Sequence, residues 1–149
     1  MRIIPDVIHG QNLLVAKTGD NARQVAKAMV ERQISSILVL DDTGKLIGII
    51  TERDFTRCFA VEGVDPDKTT AGDIMTTGVE TLSPDDSAFS ALELMELRRF
   101  RHLPVTDTDG KPLGIVSIRD LYAVVTRESR DVLVKTQTYL FDDRYNPDM

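Results

Sequence analysis

The stretch Gly48-Ile49-Ile50-Thr51-Glu52-Arg53-Asp54 returns later in the chain as Gly114-Ile115-Val116-Ser117-Ile118-Arg119-Asp120. Both read glycine, two apolar residues, a hydroxyl, two spacers and an aspartate. Each matched position lies 66 residues on: Gly48 to Gly114, Thr51 to Ser117, Asp54 to Asp120. A separation this constant points to a whole repeated unit.

Working outward, each copy follows a pair of short apolar runs. Ile37-Leu38-Val39-Leu40 and Leu46-Ile47-Gly48-Ile49-Ile50 flank Asp41-Asp42-Thr43-Gly44, a turn with glycine where a positive φ is useful. The runs are almost continuously apolar, so the hairpin should be covered on both faces. In the second half Leu103-Pro104-Val105, the turn Asp107-Thr108-Asp109-Gly110 and Leu113-Gly114-Ile115-Val116 reproduce it.

Upstream, Ala22, Val25, Ala26 and Met29 fall at i, i+3, i+4 and i+7, which predicts a helix with one apolar face. Thr18-Gly19-Asp20-Asn21 supplies turn and capping residues before it, and Leu13-Leu14-Val15 reads as a brief strand. Ala88, Ala91, Leu92 and Met95 repeat the helix face. A second helix should begin at Thr51 and carry Phe55, Cys58 and Phe59 inward. The fold class is therefore α/β, with two strand-helix-strand-strand-helix units at residues 7–61 and 73–126, joined by a linker at 62–72. Residues 127–149 have no counterpart. Val132, Leu133, Tyr139, Leu140 and Phe141 make them too apolar for a free tail, so they should pack on the protein's own body or a partner subunit, with the last residues frayed.

Composition narrows the function. The chain has 149 residues, 42% of them hydrophobic, and 18 basic against 24 acidic side chains give a net charge of −6, which argues against bulk nucleic-acid binding. Cys58 is the sole cysteine and cannot close an intrachain disulfide, as suits a reducing compartment. No apolar run approaches the ~18 residues of a membrane span. A soluble cytoplasmic protein is expected. The sequence holds no His/Cys set with metal spacing, no Gly-x-Ser-x-Gly and no P-loop lysine, so no catalysis and no metal are expected. Matched aspartates in separate repeats suit two ligand sites better than one acid–base pair.

The hairpins and paired motifs, together with Asp73-Ile74-Met75-Thr76 and Arg101-His102-Leu103-Pro104-Val105, resemble a tandem pair of cystathionine-β-synthase (CBS) domains, also called a Bateman module. The resemblance covers roughly residues 7–126. It implies two repeats related by a pseudo-two-fold axis with an adenosine-containing ligand in the cleft between them. AMP, ADP or ATP come first among such ligands, NADH or S-adenosylmethionine after them. It also implies a homodimer of four repeats and a separate regulated protein that reads the ligand state, with neither membrane nor nucleic acid as partner. The competing reading is a dimerisation or interaction module without ligand.

Each motif copy also has a purely structural explanation. Thr51-x-x-Asp54 and Ser117-x-x-Asp120 have the form of a capping box, and the glycines could simply mark close packing. In the functional reading, which the resemblance supports, Asp54 and Asp120 hold a ribose, while Thr51 and Ser117 face phosphate at a helix N-terminus. Arg53 and Arg119 stand beside them, and Gly48 and Gly114 let ligand approach the backbone. Arg101 and His102, where the first half has Ser35-Ser36, would meet phosphates in the cleft. Alternatively, Arg98, Arg99 and Arg101 are cations at a helix C-terminus. Adenine would be held by Ile8, Ile74 and Met75 with Leu14-Val15-Ala16 and Glu80-Thr81-Leu82, unless these residues are plain core. His9 stands opposite Met75, so the two clefts should differ.

Overall fold

The computed structural model describes residues 1–142, with side chains described through residue 135. Strands β1 (Val15–Lys17), β2 (Ser36–Leu40) and β3 (Leu46–Thr51) form one sheet, with β1 parallel and β3 antiparallel to β2. Strands β4 (His102–Thr106) and β5 (Pro112–Ser117) form the second hairpin. Helices α1 (Ala22–Arg32), α2 (Glu52–Phe55), α3 (Ala71–Ile74), α4 (Ala88–Arg98) and α5 (Ile118–Asp142) complete the order, and α2 continues as a wider coil over Thr56–Val61.

The repeat is obeyed closely. β4 and β5 lie 66 positions after β2 and β3, and α4 lies 66 after α1. Helix α1 starts at Asn21, whose side chain accepts from the Gln24 amide at 3.2 Å, and α4 starts at Ser87, whose hydroxyl accepts from the Ser90 amide at 3.0 Å. Both end on a non-glycine residue with positive φ, Gln33 at 55° and Arg99 at 58°. In both hairpin turns an aspartate organises the loop: Asp41 accepts from the Thr43 and Lys45 amides, and Asp107 from those of Asp109 and Lys111. The Thr43 hydroxyl also donates to Asp41 and holds its carboxyl below the usual range.

One expectation is corrected. The first strand lies two residues later than Leu13, and its counterpart in the second half shrinks to one parallel bridge, Leu82 to Val105. The segment between the repeats lies against the first half: Thr69 is buried, Ala22 donates to Thr69 O, and Arg23 pairs with Asp67. The extension continues α5, and Val132, Leu133 and Val134 are each 61% exposed on it. The side chains of Tyr139, Leu140 and Phe141 lie outside the described residues.

Two cores form, and each is completed by a segment of the other half. Ile74 and Ala71 are buried with Ala16, Val25, Met29, Ile37, Val39 and Ile50 of the first half. Ile3 and Ile8, at the start of the chain, are buried with Leu82, Met95, Leu103, Val105, Val116 and Leu121 of the second. Burying an isoleucine side chain is worth about 1.5–3 kcal/mol, so this exchange is a large part of what joins the halves. It also explains the motif glycines. A Cβ on Gly48 would sit 2.5 Å from Met75 Sδ, and one on Gly114 would sit 2.5 Å from Ile8 Cδ1. Protein side chains occupy the space that the two glycines leave open.

Candidate functional site

Thr51 and Ser117 end β3 and β5, so Asp54 and Asp120 fall in the first turn of the helices that follow. Both motifs close the expected capping box. The Thr51 amide donates to Asp54 Oδ2 at 2.8 Å, and the Ser117 amide to Asp120 Oδ2 at 2.8 Å. In return the Asp120 amide donates to Ser117 Oγ at 3.1 Å. The Glu52 amide donates to Ser35 O at 3.2 Å and the Ile118 amide to Arg101 O at 2.8 Å. The start of α5 thus offers fewer free amides than a bare helix end, because two of its first donors are already taken.

Beyond the cap the two aspartates differ. Asp54 is 7% exposed, and its Oδ1 receives the Thr76 hydroxyl at 3.3 Å and the Arg57 guanidinium at 3.5 Å. Asp120 is half-buried, and its Oδ1 has no hydrogen-bond partner among the described residues. One carboxylate is consumed by the fold; the other keeps an acceptor open.

The sheet edges beside them differ in the same sense. The Ile49 amide donates to Thr76 O at 3.0 Å and the Thr76 amide to Ile49 O at 2.9 Å, so backbone covers the edge of β3. The equivalent position on β5 is Ile115. There the side chain of Gln11 does the same work: Ile115 N donates to Gln11 Oε1 at 2.9 Å, and Gln11 Nε2 donates to Ile115 O at 3.0 Å. A primary amide carries an acceptor and a donor side by side, as a strand residue does. Thr76 lies in a segment singled out from the sequence, but Gln11 and Arg57 were missed. Gln11 stands 66 positions before Thr77, outside every repeated motif, and nothing in composition marks it.

Ile8 and Ile74 are 6% and 2% exposed, within the cores, and Met75 is half-buried against Gly48. Arg53, Arg101 and Arg119 are exposed. His102 crosses to the other half, its Nε2 lying 2.9 Å from Ser35 Oγ. Burial pushes the His102 imidazole below its ordinary pKa, against the opposing pull of Asp120 and Glu52. Arg98 pairs with Glu80 Oε1 at 3.1 Å, while Glu80 Oε2 is buried with no hydrogen-bond partner among the described residues. An open groove of about 690 Å³ runs between the end of α1, Ser35, Glu52, Phe55 and Arg119. It brings Arg119 against the first half but is lined by neither Asp54 nor Asp120. Among the described residues, no group of three or more His, Cys, Asp or Glu could hold a metal, and no helix is long and apolar enough to cross a membrane.

The family model for the CBS domain matches residues 6–61 and 71–127. The chain is 34% identical over 127 residues to the CBS domain-containing protein CBSX3, mitochondrial, of Arabidopsis thaliana, covering 83% of this chain and 61% of that one. A protein of Methanopyrus kandleri is 33% identical over 114 residues, covering 76% and 58%. The chain thus spans about three fifths of the length of these curated relatives. Among solved structures, a signal-transduction protein with CBS domains from Burkholderia ambifaria superposes with a TM-score of 0.76 at 30% identity, covering 84% of this chain and 93% of that one. CBSX2, solved in complex with AMP, superposes at 0.72 with 25% identity, covering 79% and 91%. With two matches to the family model, the 66-residue repeat and the shared architecture, the chain belongs to the CBS-domain family and carries its domains as a tandem pair.

Proposed function

We propose that this CBS pair is a regulatory sensor that binds an adenosine-containing nucleotide at the second half's motif and signals to a separate protein. The observation that carries the reading is the contrast between the aspartates: Asp54 is spent on Thr76 and Arg57, whereas Asp120 keeps Oδ1 open at the head of a long helix. A carboxylate oxygen there can accept from a ribose hydroxyl. Ser117 supplies a donor and Arg101 positive charge on the phosphate side, with His102 beside them, and the dipole of α5 favours the anion. AMP is the first ligand to test, since the AMP complex of CBSX2 shows that a protein similar to this one holds it. ADP, ATP, NADH and S-adenosylmethionine follow. Ligand acts by differential affinity for two module geometries, and its partner reads the shift.

A second reading, assembly without ligand, draws on exposed apolar side chains: Val30, Val61 and Leu97 are 77–78% exposed. Faces of this kind suit a homodimer.

Thermal unfolding with the five compounds separates the readings. Ligand at 100 times its Kd adds ~2.7 kcal/mol, equivalent to about 5–10 °C in a protein of this size. A shift that Asp120→Ala abolishes and Asp54→Ala spares supports the sensor. No shift with any compound leaves the assembly reading.

A further inference from the structure

We propose that Gln11 is a removable plug on the ligand site of the second half, closing the edge of β5 until a purine base displaces it. The inference rests on the nucleotide reading above and adds a competitor for the same site.

Ile115 and Ser117 turn their outward amides to the same free edge of β5. Ser117 N is held by Asp120, and Ile115 N and O are held by Gln11. Two residues along a strand span roughly 7 Å, close to the distance between the sugar hydroxyls of a nucleoside and the far edge of its base. A ribose on Asp120 can therefore bring its base to Ile115. Adenine presents there the same pair as the glutamine amide: ring N1 accepts and the N6 amino group donates, side by side. It can take the Ile115 N–H and C=O with no hydrogen bond left unmade.

The plug is built to leave. Gln11 is exposed, and the residues around it, 9–14, are irregular. Gly10 precedes it with φ +59°, a conformation that glycine adopts without strain, so the side chain hangs on a permissive backbone. The first half lacks such a device. There Thr76 covers Ile49 with its backbone and Asp54 with its hydroxyl, so opening that edge means moving the chain itself. The proposal accounts for both asymmetries together: the half with the open carboxylate oxygen is also the half whose edge is closed by a side chain.

The test compares AMP binding to the full chain, Gln11→Ala and Gln11→Asn by titration calorimetry, with hydrogen exchange read at the Ile115 amide. Asparagine keeps the amide but is one methylene too short to reach both partners. Removing a competitor worth about one exposed hydrogen-bonded pair should tighten AMP by about three- to tenfold in both variants. Ile115 should exchange faster in the free variants than in the free wild type, and AMP should slow it in all three proteins. If wild type binds AMP but the variants bind it equally or more weakly, Gln11 is a structural clamp and the plug is refuted while the sensor reading stands. If none of the three binds AMP, the nucleotide reading fails first and the plug falls with it.

Discussion

Replacing Asp54 and Asp120 by alanine should cost unequal amounts, although the two residues occupy matched positions. Asp54→Ala removes the cap on α2, worth ~1 kcal/mol, and the tie to Thr76, worth about another 1 kcal/mol. It also strands the Thr51 and Thr76 donors beside a side chain that was 7% exposed. The Arg57 pair adds little, because its guanidinium is half in water. The total is about 2–3 kcal/mol, a fall in Tm of about 5–10 °C. Asp120→Ala loses only its cap, about 1 kcal/mol, or about 2–4 °C. Urea titration and thermal melts of both variants without ligand provide the comparison, and calorimetry with AMP the other half of it: Asp120→Ala should lose binding that Asp54→Ala retains. Equal destabilisation, or a larger loss for Asp120→Ala, would refute the assignment of Asp54 to structure and Asp120 to ligand.

Two further predictions follow from packing and charge. Gly48→Ala should cost about 1–3 kcal/mol in the wild type, because the new Cβ meets Met75, and less in a Met75→Ala background; equal costs in a double-mutant cycle would show that Met75 is not the obstacle. His102 has a folded pKa below its unfolded 6.5, so the unfolded chain binds its proton first and stability falls as pH drops below about 6.5. Urea midpoints between pH 7.5 and 5.5 should therefore decline more steeply for wild type than for His102→Gln. The depressed carboxyls of Asp41, Asp67 and Asp73 act only further down, below their ordinary 3.8, outside that window.

The repeat, both hairpins and the first helix of each half were legible because local periodicity and turn chemistry dictate them. Asp41 and Gly44, for instance, fix their loop without help from distant residues. The reduced strand at Leu82 was not, since pairing there depends on the partner strand and not on the apolar run itself. The close approach at the glycines was legible, but not what approaches: no local pattern reveals that Met75 or Ile8 will cross over to fill the space. Nor could sequence tell the surroundings of the two motifs apart. That difference is made by Thr76, Arg57 and Gln11, which reach the motifs from 22, 3 and 104 residues away.

The exchange of Ile8 and Ile74 between cores limits how such a module can move. Swinging the halves apart on a hinge would draw one isoleucine out of each core, at about 1.5–3 kcal/mol apiece. Relative movement of the halves is thereby held to small, stiff displacements of interlocked elements, and in α5, which begins two residues before Asp120 and runs 25 residues, a slight tilt at the base is magnified at the far end.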